Sequence, residues 1–287
     1  GSTDDSGPTR DVVTGSYPSP FWYTVSLTVS NALGETAVFA RTNYIQMPMD
    51  AAYVSPAGSH TPPYTNWATA ANDIYSAVEG VAGTNNPTVW ITTGVYRTTA
   101  QIVLNKPISV TGLGGTNSVI INGQGATRGC LISHASAVLS GVTITNCQVP
   151  DSVYGGGIYM SAGTVRDCVL SGNRAASSGA SRSGGGGAYM TAGRIENCLF
   201  DGNEAYGNED YSPGVSGRGA GIYAEGGSVI SNCAVRNNRL GGLGYNDNSL
   251  GAGVFLKGGS RLLYSTIVSN QARSNHRFSG AGVYIGD

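Results

Sequence analysis

One short string returns through the second half of this chain, and its return limits what the chain can fold into. It reads Gly157-Ile158-Tyr159-Met160, Gly187-Ala188-Tyr189-Met190, Gly221-Ile222-Tyr223-Ala224, Gly253-Val254-Phe255-Leu256 and Gly282-Val283-Tyr284-Ile285, at spacings of 30, 34, 32 and 29 residues. A second set keeps phase with it. Val165, Cys168, Leu170 and Asn173 recur as Ile195, Cys198, Phe200 and Asn203, then as Ile230, Cys233, Val235 and Asn238, then as Leu262, Ser265, Ile267 and Asn270. The apolar runs are short, β-branched or aromatic, and bounded by Gly and Asn, which are strand and turn signals. A repeat of this period means a solenoid, in which each unit buries its apolar face only by stacking on its neighbours. Two or three short strands per unit make one coil of a parallel β-helix.

Stacking converts equivalent positions into ladders. Ile158, Ala188, Ile222, Val254 and Val283 share a parity with Met160, Met190, Ala224, Leu256 and Ile285. Both sets are aliphatic and are expected to point inward. Tyr159, Tyr189, Tyr223, Phe255 and Tyr284 lie between them and are expected on the outer face, one per coil. Such a stripe has three uses: stacking that stabilises the sheet, a platform for sugar rings, or a contact surface for another protein. Asn173, Asn203, Asn238 and Asn270 sit where each strand turns, a structural role for a residue that tolerates left-handed backbone and bonds side chains along a stack.

Composition narrows the function classes. Of 287 residues only 11% are charged, 44 are glycine, and the formal net charge is −1. No basic run exists, which argues against a nucleic-acid partner. No stretch is long enough for a transmembrane helix. The chain begins without Met, so a leader removed in processing is compatible with it. The five cysteines are Cys130, Cys147, Cys168, Cys198 and Cys233. Their spacing matches no zinc motif and no His is paired with them. A column of small buried thiols is the plain reading, with Ser265 as its replacement in the last coil. A disulfide between adjacent coils is the alternative.

Three regions follow along the chain. Residues 1–48 hold an alternating strand from Tyr23 to Ser30, a turn at Asn31-Ala32-Leu33-Gly34, and a second strand from Thr36 to Met47. Residues 49–83 read as linker and cap. Their apolar positions Trp67, Ala70, Ala71, Ile74, Ala77 and Val78 predict an amphipathic helix over 66–81 with Thr65 or Asn66 as N-cap. A helix laid on the first coil covers its open edge and core. Residues 84–287 are the β-helix. Its first strands are expected at Val89 to Thr92, Gln101 to Leu104, Ile108 to Val110, Val119 to Ile121, Cys130 to Ile132 and Val142 to Ile144. The C-terminus falls in mid-coil at Asp287, and an uncovered coil is a template for strand addition.

Two resemblances accompany this reading. Tyr23, Val25, Leu27, Val29, Asn31 and Gly34 resemble the closing hairpin of a PKD domain, an immunoglobulin-like sandwich of bacterial surface and secreted proteins. That family's earlier strands are missing, so this piece is expected to begin inside a domain. Residues from about 50 onward resemble the right-handed β-helix proteins of the pectate-lyase-like superfold. The resembling strings are Gly94-Val95-Tyr96, Lys106-Pro107-Ile108, Val119-Ile120-Ile121-Asn122-Gly123 and Leu139 to Asn146. The Gly-rich repeats and Phe200-Asp201-Gly202-Asn203 also look like the repeats of polymorphic outer-membrane proteins. The resemblance implies an all-β fold: a right-handed parallel β-helix with an N-terminal cap helix and a partial immunoglobulin-like hairpin. It also implies a surface or extracellular location.

Some members of the superfold act on acidic polysaccharides. That resemblance implies carboxylates for calcium and an Arg or Lys base in the lyases, and clustered Asp residues in the hydrolases. On outward positions Arg166, Arg194, Ile230 and Leu262 form no such cluster. Asp167, Asn197, Asn232 and Tyr264 contain one carboxylate, and Asp201, Ser171 and Arg236 are not expected to converge. Loops over 174–184, 204–218, 239–250 and 271–279 leave the coil at one corner and are expected to stack as a ridge. The ridge carries Arg182, Glu209, Asp210, Arg218, Asp247 and His276, and is either a binding edge or decoration that shields a flank. Asn246-Asp247-Asn248 and Glu209-Asp210 offer oxygen ligands for calcium. Otherwise no cofactor is expected. The expected function is a non-catalytic extracellular or cell-surface structural or adhesive protein. Its partners are further copies, or neighbouring domains of a longer chain, at open β edges, the former building filaments. The alternative is a carbohydrate-active enzyme or carbohydrate-binding module acting on acidic polysaccharides.

Overall fold

The computed structural model describes residues 22–46, 49–82, 86–149, 154–176, 183–206, 217–241, 248–272 and 277–286. The chain divides into two compact units, Gly1–Met47 and Pro48–Asp287.

In the first unit, strand Trp22–Ser30 pairs antiparallel with Thr36–Gln46, with a register shift between Tyr23 and Val25. The Asn31 side chain closes the turn. Its Oδ1 accepts from the Leu33 and Glu35 amides, each at 3.0 Å, and Gly34 takes φ 78°. Alternation places Tyr23, Val25, Leu27 and Val29 on one side, facing across the ladder to Ile45, Arg41, Phe39 and Ala37. Leu27, Val29 and Phe39 are 61%, 57% and 60% exposed on that side.

The second unit holds four long parallel sheets and a two-stranded one, Asn248–Leu250 with Arg277–Ser279; the first, second and fourth sheets enclose the main core, and the third packs Ala205 and Leu240 against Ala220 and Ala252 in a smaller one. The first runs from Ala51–Val54 to Arg261–Leu263 and has eight strands; the second runs from Gly94–Arg97 to Thr266–Val268 and has seven. The third runs from Gln148–Val149 to Gln271–Ala272 with five strands, and the fourth from Ile102–Leu104 to Val283–Ile285 with seven. One complete turn is Thr164–Arg166, Val169–Ser171, Arg174–Ala176 and Ala188–Met190. The third sheet is an addition to the sequence reading, which assigned these residues to loops. They pair in register instead, Arg174 with Glu204, Glu204 with Arg239 and Arg239 with Gln271. Strand Gly94–Arg97 is a further addition to the expected strands. Glycine is needed at 94 for close approach, since a Cβ there would lie 2.5 Å from Pro56 Cγ.

Inward aliphatic columns fill the core. Ile158, Met160, Ala188, Met190, Ile222, Ala224 and Val254 are buried, as are Val165, Leu170, Ile195, Phe200, Ile230 and Val235. The recurring glycine before each strand of the fourth sheet is a packing requirement. A Cβ on Gly157, Gly187, Gly221 or Gly253 would lie 2.5 or 2.6 Å from the glycine carbonyl oxygen one turn on.

The buried asparagine ladder forms as a bonded column. The Asn173 Nδ2 donates to Asn203 Oδ1 at 3.0 Å, Asn203 to Asn238 at 2.9 Å, and Asn238 to Asn270 at 2.9 Å. Each amide also donates to a strand carbonyl: Ile144, Leu170, Phe200 and Val235 in turn. Its backbone is not left-handed. The positive φ falls one residue earlier, at Gly172, Gly202, Asn237 and Ser269. The side chain is thereby turned into the core, where amide bonding decides the residue type.

The cap helix is shorter than its periodicity predicts. It spans Ile74–Gly80, and its N-cap is Asp73, whose carboxylate accepts from the Ser76 amide at 2.7 Å. Residues 64–71 pair instead with the outer edge of strand Ala51–Val54: Tyr53 N–H donates to Tyr64 O, and Ala71 N–H to Tyr53 O, each at 2.9 Å. Backbone groups spent on that edge cannot also close helical turns. The helix buries Ile74, Ala77 and Val78 on the first turn.

Candidate functional site: aromatic ladder and outer corner

The aromatic residues stack in register along the fourth sheet. Tyr159 pairs with Tyr189, Tyr189 with Tyr223, Tyr223 with Phe255, and Phe255 with Tyr284. Ring centroids are 5.2, 5.0, 4.8 and 5.4 Å apart. The rings leave the outer side of the sheet, as alternation requires, yet they are not an open platform. Tyr189, Tyr223 and Phe255 are 8%, 3% and 2% exposed. Tyr154 stacks on Tyr189 at 4.6 Å, and Arg218 lies over Phe255 at 4.9 Å. The ladder is thus a separate apolar cluster outside the sheet, joined by Tyr154, Tyr159, Leu250 and Tyr284.

A polar knot closes one side of it. The Glu225 carboxylate accepts from Lys257 Nζ at 2.7 Å, from the Tyr223 hydroxyl at 3.4 Å, and from the Tyr189 hydroxyl. Burial opposes the charge on Glu225, but the Lys257 and Tyr189 hydrogen bonds outweigh it and hold the carboxyl below its ordinary value. Burial, then the bond to Glu225, pushes the Tyr189 hydroxyl up, so it stays a phenol and a donor.

Of the ridge residues, Arg182, Glu209, Asp210, Asp247 and His276 lie outside the described residues, as does the calcium reading built on Glu209, Asp210 and Asp247. Arg218 is described, and it belongs to the cover of the aromatic ladder. Its backbone bridges Gly184 and Leu250, and its buried Nε has no hydrogen-bond partner among the described residues. Among the described residues no three His, Cys, Asp or Glu side chains are placed to hold a metal ion. Among the described residues no helix is long and apolar enough to cross a membrane.

The outward charges are arranged differently from the sequence reading. Arg166 stands level with Glu196 and Ser231, and Arg194 with Thr164 and Val229, whereas Ile230 and Leu262 face inward. The earlier grouping mixed two faces. Asp201 and Arg236 do converge: Arg236 Nη2 lies 2.9 Å from Asp201 Oδ2, and Asn237 Nδ2 donates to Asp201 Oδ1 at 2.8 Å.

At the corner between the first and second sheets a second amide column forms, and this one is left-handed and exposed. Asp167, Asn197, Asn232 and Tyr264 have φ of 54°, 53°, 52° and 49°. Asn197 Nδ2 donates to Asp167 Oδ1 at 3.2 Å, and Asn232 Nδ2 to Asn197 Oδ1 at 2.7 Å. The sequence signal was an Asn or Asp before each repeated Cys. It had been weighed only as a count of carboxylates. Beside it the thiols of Cys168, Cys198 and Cys233 point inward and donate to Arg166, Glu196 and Ser231 carbonyls at 3.1, 3.1 and 3.2 Å. All five cysteines are buried and free. The flanking Cys168 and Cys233 thiols, then burial, push the Cys198 thiol up, and burial pushes Cys147 up to about 12. Cys147 and Cys198 are thereby packing groups rather than nucleophiles.

Residues 108–287 match the family described as the right-handed beta helix region, and the chain belongs to it. No curated protein sequence matches. A solved structure similar to this chain is a pectin methylesterase in complex with a hexasaccharide, at 12% identity and a TM-score of 0.34, covering 82% of this chain and 92% of that one.

Proposed function

We propose that this is a non-catalytic structural or adhesive protein of the cell surface or extracellular space, in which the β-helix serves as a rigid rod. One observation carries the reading. The polar and aromatic side chains that leave the coil are largely spent on the same positions one turn away: aromatic on aromatic, amide on amide, Asp201 on Arg236 and Glu225 on Lys257. Such a surface maintains the stack. The hairpin fits the same reading as part of a PKD-like sandwich, because a second sheet would cover its exposed Leu27, Val29 and Phe39. Partners are then further copies or neighbouring domains. They meet at the hairpin's exposed face, since the first turn's outer edge is already paired by residues 64–71. Filaments would follow if that contact repeats without closing.

The experiment is incubation of the full chain with uronic-acid polymers, followed by assay of new reducing ends and unsaturated products, with electron microscopy of the same material. Rods or fibres without product are expected. Product formation that is lost in Asp210→Ala would overturn the reading in favour of an enzyme acting on acidic polysaccharides.

A further inference from the structure

Cys168, Cys198 and Cys233 stand one above another inside the coil. The Leu199 and Ala234 amides donate to the Cys168 and Cys198 carbonyls, each at 2.9 Å, which sets the three residues level on successive turns. Each thiol donates to the carbonyl two residues before it, at 3.1, 3.1 and 3.2 Å. The side chains therefore point the same way, and their sulfurs repeat with the turn at ~4.8 Å. Packing does not require sulfur here. Val142 and Ser265 hold the same position on the turns before and after, where their neighbours Val169 and Cys233 bond to Val142 O and Ser265 Oγ.

That spacing decides what the thiols can do together. A disulfide needs Cβ atoms about 3.5–4.5 Å apart. Side chains that repeat at ~4.8 Å keep their Cβ atoms farther apart than that. A cation held in line between two thiolates fits instead. The bond from sulfur to zinc is ~2.3 Å, and to heavier cations of that group somewhat longer, so two bonds in line span ~4.6 Å or slightly more.

Coordination number and charge then select the cation. Structural zinc takes four ligands, and among the described residues not even three are grouped. Two sulfurs in line suit a soft cation that is satisfied by two ligands. The sulfurs face backbone oxygens. Beyond the bonds above, Cys198 Sγ lies 3.9 Å from Val165 O and Cys233 Sγ 3.9 Å from Ile195 O. Two thiolates with a monovalent cation leave a negative charge against those dipoles in the core, which is costly without a partner. A divalent cation leaves no net charge. Entry is short, because Cys168 and Cys198 line a groove of about 430 Å³ on the outer corner.

We propose that Cys198, together with Cys168 or Cys233, binds a soft divalent cation that prefers two ligands in line, mercury(II), as a neutral bis-thiolate bridging adjacent turns. Two S–H bonds break, two sulfur–metal bonds form, and two protons leave for solvent. No oxidant or reductant takes part. Cys198 belongs to both pairs, so the column holds one cation. The site is independent of the rod reading, which stands whether or not the cation binds.

The test is titration of the full chain with mercury(II) chloride in excess 2-mercaptoethanol, which strips cations held by a single thiol, followed by native mass spectrometry. One retained mercury per chain is expected, at the mass of the metal less two protons, with a raised melting temperature. Cys198→Ser breaks both pairs and is expected to weaken retention ~10²–10⁴-fold, the effect of losing a linked second ligand. Cys168→Ser and Cys233→Ser each leave one pair and should keep the cation, whereas the two together should lose it. Serine already stands in this column at Ser265. If Cys198→Ser nevertheless melts early, the Cys168→Ser/Cys233→Ser variant decides the matter. No retained mercury, retention that survives Cys198→Ser or the double variant, tighter retention of zinc(II) or copper(I), or a disulfide to Cys198 formed readily with diamide would each overturn the proposal.

Discussion

Asn203 shows how much one buried amide holds. Its Nδ2 serves Leu170 O at 2.8 Å and Asn238 Oδ1 at 2.9 Å, while its Oδ1 accepts from the Asn173 amide nitrogens of backbone and side chain at 3.1 and 3.0 Å. Asn203→Ala strands these partners in the core, and a buried unsatisfied group costs ~1–3 kcal/mol. A loss of about 2–4 kcal/mol in denaturant unfolding is expected. Asn203→Asp should not rescue it, because a carboxylate lacks the donors. A loss within ~0.5 kcal/mol, typical of an exposed site, would mean the ladder is not formed. Glu225 has a pH signature. Its folded pKa lies below the ordinary 4.5, so its contribution is fully present above that value and is lost as pH falls through the lower folded value. Melting temperature should drop between neutral and strongly acid pH by more in the unmodified chain than in Glu225→Gln. Parallel curves would show that the knot with Lys257 and Tyr189 adds nothing.

At the scale of the element, the cap is the informative case. Asp73 fixes the start of the helix through both carboxylate oxygens, to the Ser76 amide at 2.7 Å and hydroxyl at 2.9 Å. Asp73→Ala is expected to cost about 1 kcal/mol, and hydrogen exchange should rise over residues 51–81 while the later turns stay unchanged. Unaltered exchange there would mean that the pairing of residues 64–71, and not the helix, seals the first turn. The helix also marks the limit of what the sequence made legible. Ile74, Ala77 and Val78 were readable as one apolar face. The claim of strand Ala51–Val54 on residues 64–71 was not, because periodicity records which residues are buried and not which backbone groups a distant edge will take. The same limit explains the two amide columns. Asn203 and Asn197 look alike in sequence. Only the register of the sheets sets one inside the core and the other on a left-handed, exposed corner. The aromatic stripe was legible in spacing and direction. Its burial depends on Tyr154, Arg218 and Leu250, which arrive from outside the repeat string.

For the molecule as a whole, stability is expected to vary along the axis. Each turn contacts mainly its neighbours, so protection should follow the number of turns stacked on either side. The middle turns bury Phe200, Ile195, Ile230 and Val235 completely, whereas Leu262, Ile267 and Val283 of the last described turn are only partly buried against the core. Amide exchange should therefore be slowest over about residues 165–238 and fastest at the last turn. Met190 tests how far a defect travels. It is fully buried and stacks between Met160 and Ala224. Met190→Lys places a charge where no partner can reach it, a change that is strongly destabilising. In a nearest-neighbour stack the added exchange should be greatest in the turns that carry Met160 and Ala224 and should fade toward strand Ala51–Val54. Uniformly faster exchange from the first turn to the last would show instead that the solenoid opens as one cooperative block, and that its ladders act as a single unit.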